Sequence, residues 1–210
     1  MASTIYVDKV DPASGTALEL GSSGDTLTVP SGATLAIASG GTLANSGTAT
    51  GVGGTNTPAF AAYLANDSDQ SISDSTTTKI QFEAERFDTA GAYDTSNYRF
   101  TVPAGQGGKY YIVVKVKCGC SQQNDIVGAF AHIYKNGSSY HSIGQTGAGF
   151  ISGTKYPILG IGLLCSTVLE LAVGDYVEGY GYIKTNGAGT PKFQEGDDAS
   201  TYFEGFKIIE

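Results

Sequence analysis

Charge is scarce in this sequence of 210 residues, in which Asp, Glu, Lys and Arg make up only 15%. Ordinary globular domains carry about 25% of these residues. The charges that are present give a formal net charge of −8, which disfavours nucleic acids and anionic lipid surfaces as partners. No apolar run approaches the length of a membrane span, and residues 1–10 contain no apolar stretch long enough for a secretory signal. We therefore expect folding in a cytosol, without membrane insertion.

Cysteine is also scarce, with three residues in the chain. Cys118 and Cys120 are two positions apart in a strand-like run and so share one face of it. Together with Cys165 they form an odd set, and two histidines add too few ligands for a metal centre. Small buried thiols are therefore favoured over a disulfide framework or a metal site.

The two histidines lie on either side of Asn136-Gly137, a dipeptide that is typical of a two-residue hairpin turn. In that hairpin His132 would pair with His141, either as a paired-histidine site or, as is commoner, as two half-exposed cross-strand residues. No glycine-rich phosphate loop precedes a helix. The sequence therefore predicts no enzyme, no catalytic residue and no cofactor.

Aromatic residues are missing between Tyr6 and Phe60. The segment up to Thr57 consists mainly of Gly, Ser, Thr, Ala and a few aliphatic residues, so alone it cannot bury enough apolar surface to fold. It is either disordered, as a low-complexity linker would be, or it folds by association. The lack of aromatic residues therefore marks a boundary between this segment and a second region that can form its own apolar core.

An eight-residue repeat favours association. Thr-Leu pairs recur at positions 26, 34 and 42, the first two pairs have another aliphatic residue two places after the Leu, and Ser-Gly pairs lie between the repeats. Short strands with regular turns are typical of a β-solenoid or an intertwined triple-β shaft. Three repeats make too thin a solenoid for one chain, so we predict a trimeric β shaft. The residues predicted to lie on its axis are Leu27, Val29, Leu35, Ile37 and Leu43.

From residue 58 onward, β-prone segments alternate with turn signals, and no segment has a convincing helical pattern. About eight to ten strands over about 150 residues is the size of an antiparallel jelly roll or sandwich. The fold class predicted for the whole chain is therefore all-β. Its regions are residues 1–21, residues 22–57 (the shaft and a glycine-rich joint) and residues 58–210 (a jelly-roll head).

The head resembles the globular domains of the C1q/tumour-necrosis-factor family. The resemblance is carried by a spaced set of aromatic and acidic residues, by a Gly-x-Tyr strand and by three shorter matches: Phe82, Asp88, Tyr93, Phe100, Gly108, Tyr110, Pro58-Ala59-Phe60, Gly174-Asp175-Tyr176-Val177 and residues 200–206. The gap after Phe100 is two residues longer than in the family, and Ile112 and Val114 replace aromatic residues. The resemblance implies a jelly-roll fold and a homotrimer about a threefold axis.

The shaft changes what this resemblance implies for function. Animal members of the family are secreted and usually carry a collagen stalk, whereas this chain shows neither a secretory signal nor a Gly-X-Y repeat. A Thr-Leu and Ser-Gly shaft before such a head is similar to bacteriophage tail or virion fibres. We therefore expect a virion-located trimeric fibre, mounted on tail or capsid, that binds a host-surface receptor, with a glycan as one option. Residues 1–21 would attach it to another virion protein. The alternatives are a purely structural virion decoration or assembly protein and a bacterial surface adhesin.

The resemblance implies that the last strand ends near the shaft. Strand parity then places the longer connections of an antiparallel jelly roll, 121–125, 144–157 and 184–200, at the end of the head away from the shaft, where binding loops usually lie. The receptor-facing candidates from these connections are Phe150, Lys155, Tyr156, Lys192, Phe193, Glu195, Asp197 and Asp198. The acidic run at 195–198 could also hold Ca²⁺, a cation that prefers oxygen ligands. A solvated acidic loop is the favoured interpretation, so no metal site is assigned there.

Overall fold

The structure, a computed structural model, describes residues 10, 20, 23–44, 46, 57–65, 69–123, 125–146, 160–195 and 200–208. The chain forms two units, Met1–Thr50 and Gly51–Glu210. The finer division into residues 1–21, 22–57 and 58–210 stays a prediction. The described residues form no helix, and so they contain no helix that is long and apolar enough to cross a membrane.

Within the first unit, the described segment 23–44 turns at regular intervals. The N–H of Ala33 donates to the carbonyl of Pro30 at 3.0 Å, and the N–H of Gly41 donates to the carbonyl of Ala38 at 2.8 Å. The glycines at the turns have positive φ angles, which the third position of a type II turn requires: Gly24 (93°), Gly32 (85°) and Gly40 (84°). The turns therefore follow the eight-residue period. Residues 23–44 of the single chain form no strand between these turns, so the β shaft stays a prediction.

The described residues of the second unit form thirteen strands. They are β1 (Ala59–Tyr63), β2 (Gln70–Ser71), β3 (Thr78–Lys79), β4 (Ala84–Asp88), β5 (Tyr93–Asp94), β6 (Arg99–Thr101), β7 (Gly108–Cys120), β8 (Ile126–Lys135), β9 (Ser138–Thr146), β10 (Gly160–Leu171), β11 (Tyr176–Thr185), β12 (Pro191–Phe193) and β13 (Tyr202–Lys207). The longest of them lie in β-branched and aromatic runs, as strand propensity predicts.

The strands pair into two antiparallel sheets. The first has the order β2-β12-β7-β13-β1-β4, with β10 on the other side of β7, and the second has the order β5-β6-β11-β8-β9, with β3 also paired to β11. The last strand pairs with the first, Phe60 lying opposite Gly205, so residues far apart in sequence become neighbours. Two packed antiparallel sheets with such connections are consistent with the predicted jelly roll. The all-β prediction for the head is confirmed.

Alternation along the strands builds the core between the sheets. On β7, Tyr110, Ile112, Val114 and Val116 are buried, because every second side chain points to the same face. Phe60 stacks on Phe100 with ring centroids 4.6 Å apart. Phe82, Tyr93, Phe100 and Tyr110, which carried much of the family resemblance, belong to this core, each contributing on the order of 2 kcal/mol through burial.

The three cysteines are free and buried, as predicted. Burial raises the pKa of Cys118 to about 12 and that of Cys165 to about 11, and it also raises the pKa of Cys120. The thiolate is the reactive form of cysteine, so these side chains are inert packing groups.

The histidine pair predicted across the hairpin is wrong. Lys135 does lie opposite Ser138, as the Asn136-Gly137 turn predicted, but the register shifts between Ile133 and Tyr134. After this bulge His132 lies opposite Ser142, and His141 lies opposite Ile133. A one-residue slip changes which residues share a face, so the two imidazoles do not form a cross-strand pair.

Candidate functional site

The head has two ends, which its strand directions define. The N–H of Lys207, at the end of β13, donates to the carbonyl of Pro58 at 3.0 Å, so the head's first strand begins where its last strand ends. We call this the Pro58 end. The turn at 172–175 also lies there, because Leu171 lies opposite Gly108 and Lys207 lies opposite Tyr110, both at the start of β7. The turn at 136–137 lies beside it, since the N–H of Asn136 donates to the carbonyl of Tyr176 at 3.0 Å. The connections 121–125 and 186–190 lie at the opposite end, as strand parity predicted.

Carboxylates at the Pro58 end hold turns. Asp175 accepts hydrogen bonds from the side chain of Asn136 at 2.8 Å and from the N–H of Ala172 at 2.9 Å, and it pairs with Lys135 at 2.9 Å. The Asn136 hydrogen bond first, and then those from Lys135 and Ala172, lower the pKa of Asp175 to about 2. The Gly-Asp turn of the family resemblance is therefore a structural feature.

Asp88 and Asp94 also hold turns. Asp88 accepts the N–H of Tyr93 at 2.7 Å, and Asp94 accepts the N–H groups of Ser96 and Asn97 at 2.8 and 3.0 Å. These hydrogen bonds occupy the carboxylates in local loops. Both are therefore residues of strand and turn.

Of the receptor-facing candidates, the structure describes only Lys192, Phe193 and Glu195. Phe150, Lys155, Tyr156, Asp197 and Asp198 lie outside the described residues. Lys192 forms an ion pair with Asp69 at 2.5 Å, and the N–H of Glu195 donates to the same carboxylate at 3.0 Å. These two candidates are therefore held near each other through Asp69.

Phe193 is a correction to the sequence prediction. Its side chain is 0% exposed, so it cannot face a receptor. The reason is that residues 191–193 form β12, which pairs with β7 and β2, so Phe193 points into the core while Lys192 points outward. The expected long loop from 184 to 200 is therefore interrupted by a strand. The apolar-polar-apolar order Pro191-Lys192-Phe193 was the signal for it.

Three connections meet at the end opposite Pro58. The N–H of Ser75 donates to the carbonyl of Ile183 at 2.9 Å, and the N–H of Thr185 donates to Asp74 at 2.7 Å. The N–H of Asn186 donates to the carbonyl of Asp125 at 2.9 Å. We call the described residues of these connections (72–77, 121–123, 125 and 184–190) the apex.

Exposed side chains of the apex are almost all neutral and polar. Those of Ser121, Gln122, Gln123, Asn186 and Thr190 are exposed, as are Ser73, Ser75, Thr76 and Thr77. Asp74 and Lys184 are its exposed charges, and they have opposite signs. Sequence reasoning placed the 121–125 connection at this end but did not single out these amides and hydroxyls, because none belongs to a motif.

The outer face of the first sheet has a different character. A groove of about 260 Å³ is lined there by Ala59, Phe60, Phe87, Tyr111, Val113, Glu204, Gly205 and Phe206. Val168 lies opposite Tyr111 on the neighbouring strand β10, and Leu164 lies opposite Lys115. Both are about half exposed, as is Phe87. We call this surface, with Phe87, Tyr111, Leu164, Val168 and Phe206 as its main apolar members, the apolar face.

No protein-family model matches this chain, and no curated protein sequence matches it. Among solved structures, the chain is similar to the Eiger TNF of S. frugiperda, with 12% identity and a TM-score of 0.49 over 73% of this chain and 93% of that one. It is also similar to the globular domain of the zebrafish complement 1qA protein, with 17% identity and a TM-score of 0.42 over 72% of this chain and 98% of that one. These similarities concern the fold alone.

Proposed function

We propose that this chain is a homotrimeric fibre protein of a bacteriophage particle and that its head binds a receptor on the host surface. The observation that carries the proposal is the exposure of the shaft aliphatics in a single chain. Leu27, Val29, Leu35, Ile37 and Leu43 are between 45% and 69% exposed. Apolar side chains repeated at such a regular interval need a partner surface, because leaving them in water costs free energy.

Further copies of the same chain fit this need best. The turns at Gly32 and Gly40 have the same conformation and the same spacing as the apolar residues, so each repeat presents the same edge. Three such edges wound about one axis would bury the aliphatics and also pair backbone groups between chains. A trimeric shaft thereby explains why residues 23–44 form turns, but no strands, in the single chain.

The head offers a second surface for association. The apolar face lies on the first sheet, whereas the side of the sandwich formed by β9, at the edge of the second sheet, exposes Tyr140 and Ile143. If this side of one copy packs on the apolar face of the next, the contact is heterologous, and a threefold rotation closes it into a ring.

Two valines provide a matched test of this contact. Val168 belongs to the apolar face and is 51% exposed, whereas Val173 lies in the turn at the Pro58 end and is 54% exposed. Val168→Asp in the full chain should shift trimer dissociation to concentrations at least about tenfold higher, because it places an unpaired charge in the interface. Light scattering over a dilution series measures this. Val173→Asp should behave as the unmodified chain, and equal behaviour of the two variants would exclude the contact.

Receptor binding is supported by the arrangement of the connections. The tight turns 136–137 and 172–175 lie at the Pro58 end, and the apex at the opposite end combines three connections on a rigid sandwich, which is where binding surfaces usually lie. The purified full chain should therefore block adsorption of the parent bacteriophage to its host. Antibodies against the chain should label fibres in electron micrographs. Labelled particles without any block of adsorption would instead favour a structural decoration.

A further inference from the structure

We infer that the apex binds an uncharged saccharide, which would make a neutral surface glycan the receptor; this inference rests on the proposed function. The residues that would contact the saccharide are Gln122, Gln123, Asn186, Thr190 and Ser121. All five are exposed, and all carry amide or hydroxyl groups. Such groups both donate and accept hydrogen bonds, as the hydroxyl groups of a sugar do.

The apex is held in place by its own hydrogen bonds. Ser121 and Thr190 bond reciprocally: the N–H of Ser121 donates to the Thr190 carbonyl at 3.1 Å, and the N–H of Thr190 donates to the Ser121 hydroxyl at 2.8 Å. Buried Asp125 accepts the N–H of Gly189 at 2.7 Å. Because the backbone is already ordered, little conformational entropy is lost when a ligand binds.

The connection 186–190 also packs closely against the core. A Cβ atom on Gly189 would lie 2.3 Å from the Sγ atom of Cys120 and 3.1 Å from the carboxylate of Asp125. Only glycine fits this approach. The loop therefore lies directly on the core, and the side chains of Asn186 and Thr190 are exposed on a supported surface.

The chemistry of the apex disfavours other kinds of partner. Protein hot spots are enriched in Trp, Tyr and Arg, and the described residues of the apex contain none of these. A charged ligand needs an excess of opposite charge, but Asp74 and Lys184 offset each other. An apolar ligand needs an apolar pocket, whereas the exposed side chains here are hydroxyls and amides. An uncharged, hydroxyl-rich ligand fits the exposed hydroxyl and amide groups of the apex.

The test uses the full chain on an array of immobilised oligosaccharides that holds neutral members (hexoses and N-acetylhexosamines) and acidic members (uronic, sialylated and phosphorylated). The unmodified chain should bind neutral members. Binding by the variant Gln122→Ala/Gln123→Ala/Asn186→Ala should be at least about tenfold weaker, because several hydrogen bonds are lost at each of three apices. The control variant, Gln81→Ala/Ser138→Ala/Ser139→Ala, removes exposed polar groups of the head outside the apex and should bind normally.

Each alternative outcome of the array experiment contradicts a different part of the inference. Equal binding by both variants would exclude the apex while leaving a glycan receptor in place. Binding to acidic members only would exclude the neutral class. No binding to any member would exclude a saccharide ligand, and the adsorption block described above would then decide separately whether the head binds a receptor of another kind. Unchanged melting temperatures of both variants verify that the comparison reports binding.

Discussion

The shaft segment 23–44 and the head contain the same aliphatic residue types in opposite environments. Leu35 and Ile37 of the segment are 63% and 49% exposed, whereas Leu169 and Ile112 of the head are buried. In the head, strand alternation sends every second side chain toward an opposing sheet of the same chain. The shaft repeat contains the same types of aliphatic residue, but residues 23–44 supply no second layer for these side chains to pack against. Burial in this protein thus depends on whether the chain supplies its own second layer.

Association should therefore matter most in the shaft. Replacing Leu27, Leu35 and Leu43 together by Ser should open the shaft, because buried Leu to a small residue costs about 2–5 kcal/mol at each site and the loss occurs in three chains. Limited proteolysis should then cleave within residues 23–44, while the head keeps its melting temperature.

The matched control is Thr26→Ser, Thr34→Ser and Thr42→Ser, which changes the neighbouring repeat positions and keeps the leucines. It should leave the shaft resistant to protease. Equal cleavage of the unmodified chain and the leucine variant would show that the segment is an open linker. A head that melts together with the shaft would show that the two regions fold as one.

The head should depend on its own core instead. Phe193→Ala should destabilise the head by about 3–5 kcal/mol, since it removes a fully buried ring from the space between the two sheets. Thermal unfolding of the full chain measures this. Lys192→Ala, one position away on the outer face, should cost far less, because its ion pair with Asp69 is partly exposed. Comparable losses in both variants would place Phe193 at the surface, where the sequence prediction had it.

The smallest expected effect concerns acid stability at the Pro58 end. The pKa of Asp175 is lowered to about 2 by hydrogen bonds from Asn136, Lys135 and Ala172, so its contribution to stability is complete above its unfolded pKa of about 3.9. The contribution is lost as the pH falls from about 4 toward 2. Asp175→Asn should therefore lower the melting temperature by a few °C at most near pH 7, with the difference vanishing near pH 2.

Glu170→Gln, at an exposed carboxylate of β10, serves as the control for this pH series and should follow the unmodified chain. A melting difference for Asp175→Asn that stays constant from pH 7 to pH 2 would mean that the turn depends on the shape of the side chain and not on its charge.

How far the sequence predicts the molecule also differs between the regions. The β-prone run from Tyr110 to Val116 and the turn at Asn136-Gly137 are local signals, and the structure confirms a strand at the first and a turn at the second. The bulge between Ile133 and Tyr134 has no local signal, so the histidine pairing could not be foreseen. Phe193 was missed because a three-residue strand becomes stable only when β7 and β2 flank it, and both are distant in sequence.

The apex shows the same limit for the candidate site. Strand parity predicts which connections share an end, and the hydrogen bond from Gly189 to Asp125 confirms that the connections around 121–125 and 184–190 meet. The third connection of the apex, which Asp74 joins to Thr185, was not part of that prediction. Parity does not predict which side chains become exposed there. From the sequence, aromatic and acidic residues of long loops were predicted to face the receptor. The exposed side chains of the apex are instead mostly neutral and polar, such as those of Gln122 and Asn186.

The mass of the full chain in solution tests the central claim most directly. One chain has a mass of 21.6 kDa. Light scattering of the purified protein at micromolar concentration should give three times that value, because the shaft aliphatics and the apolar face together provide an interface of obligate size, on the order of 2,000 Å² or more. A mass of one chain at that concentration would contradict the account, since the exposed leucines of residues 23–44 would then be stable in water without a partner.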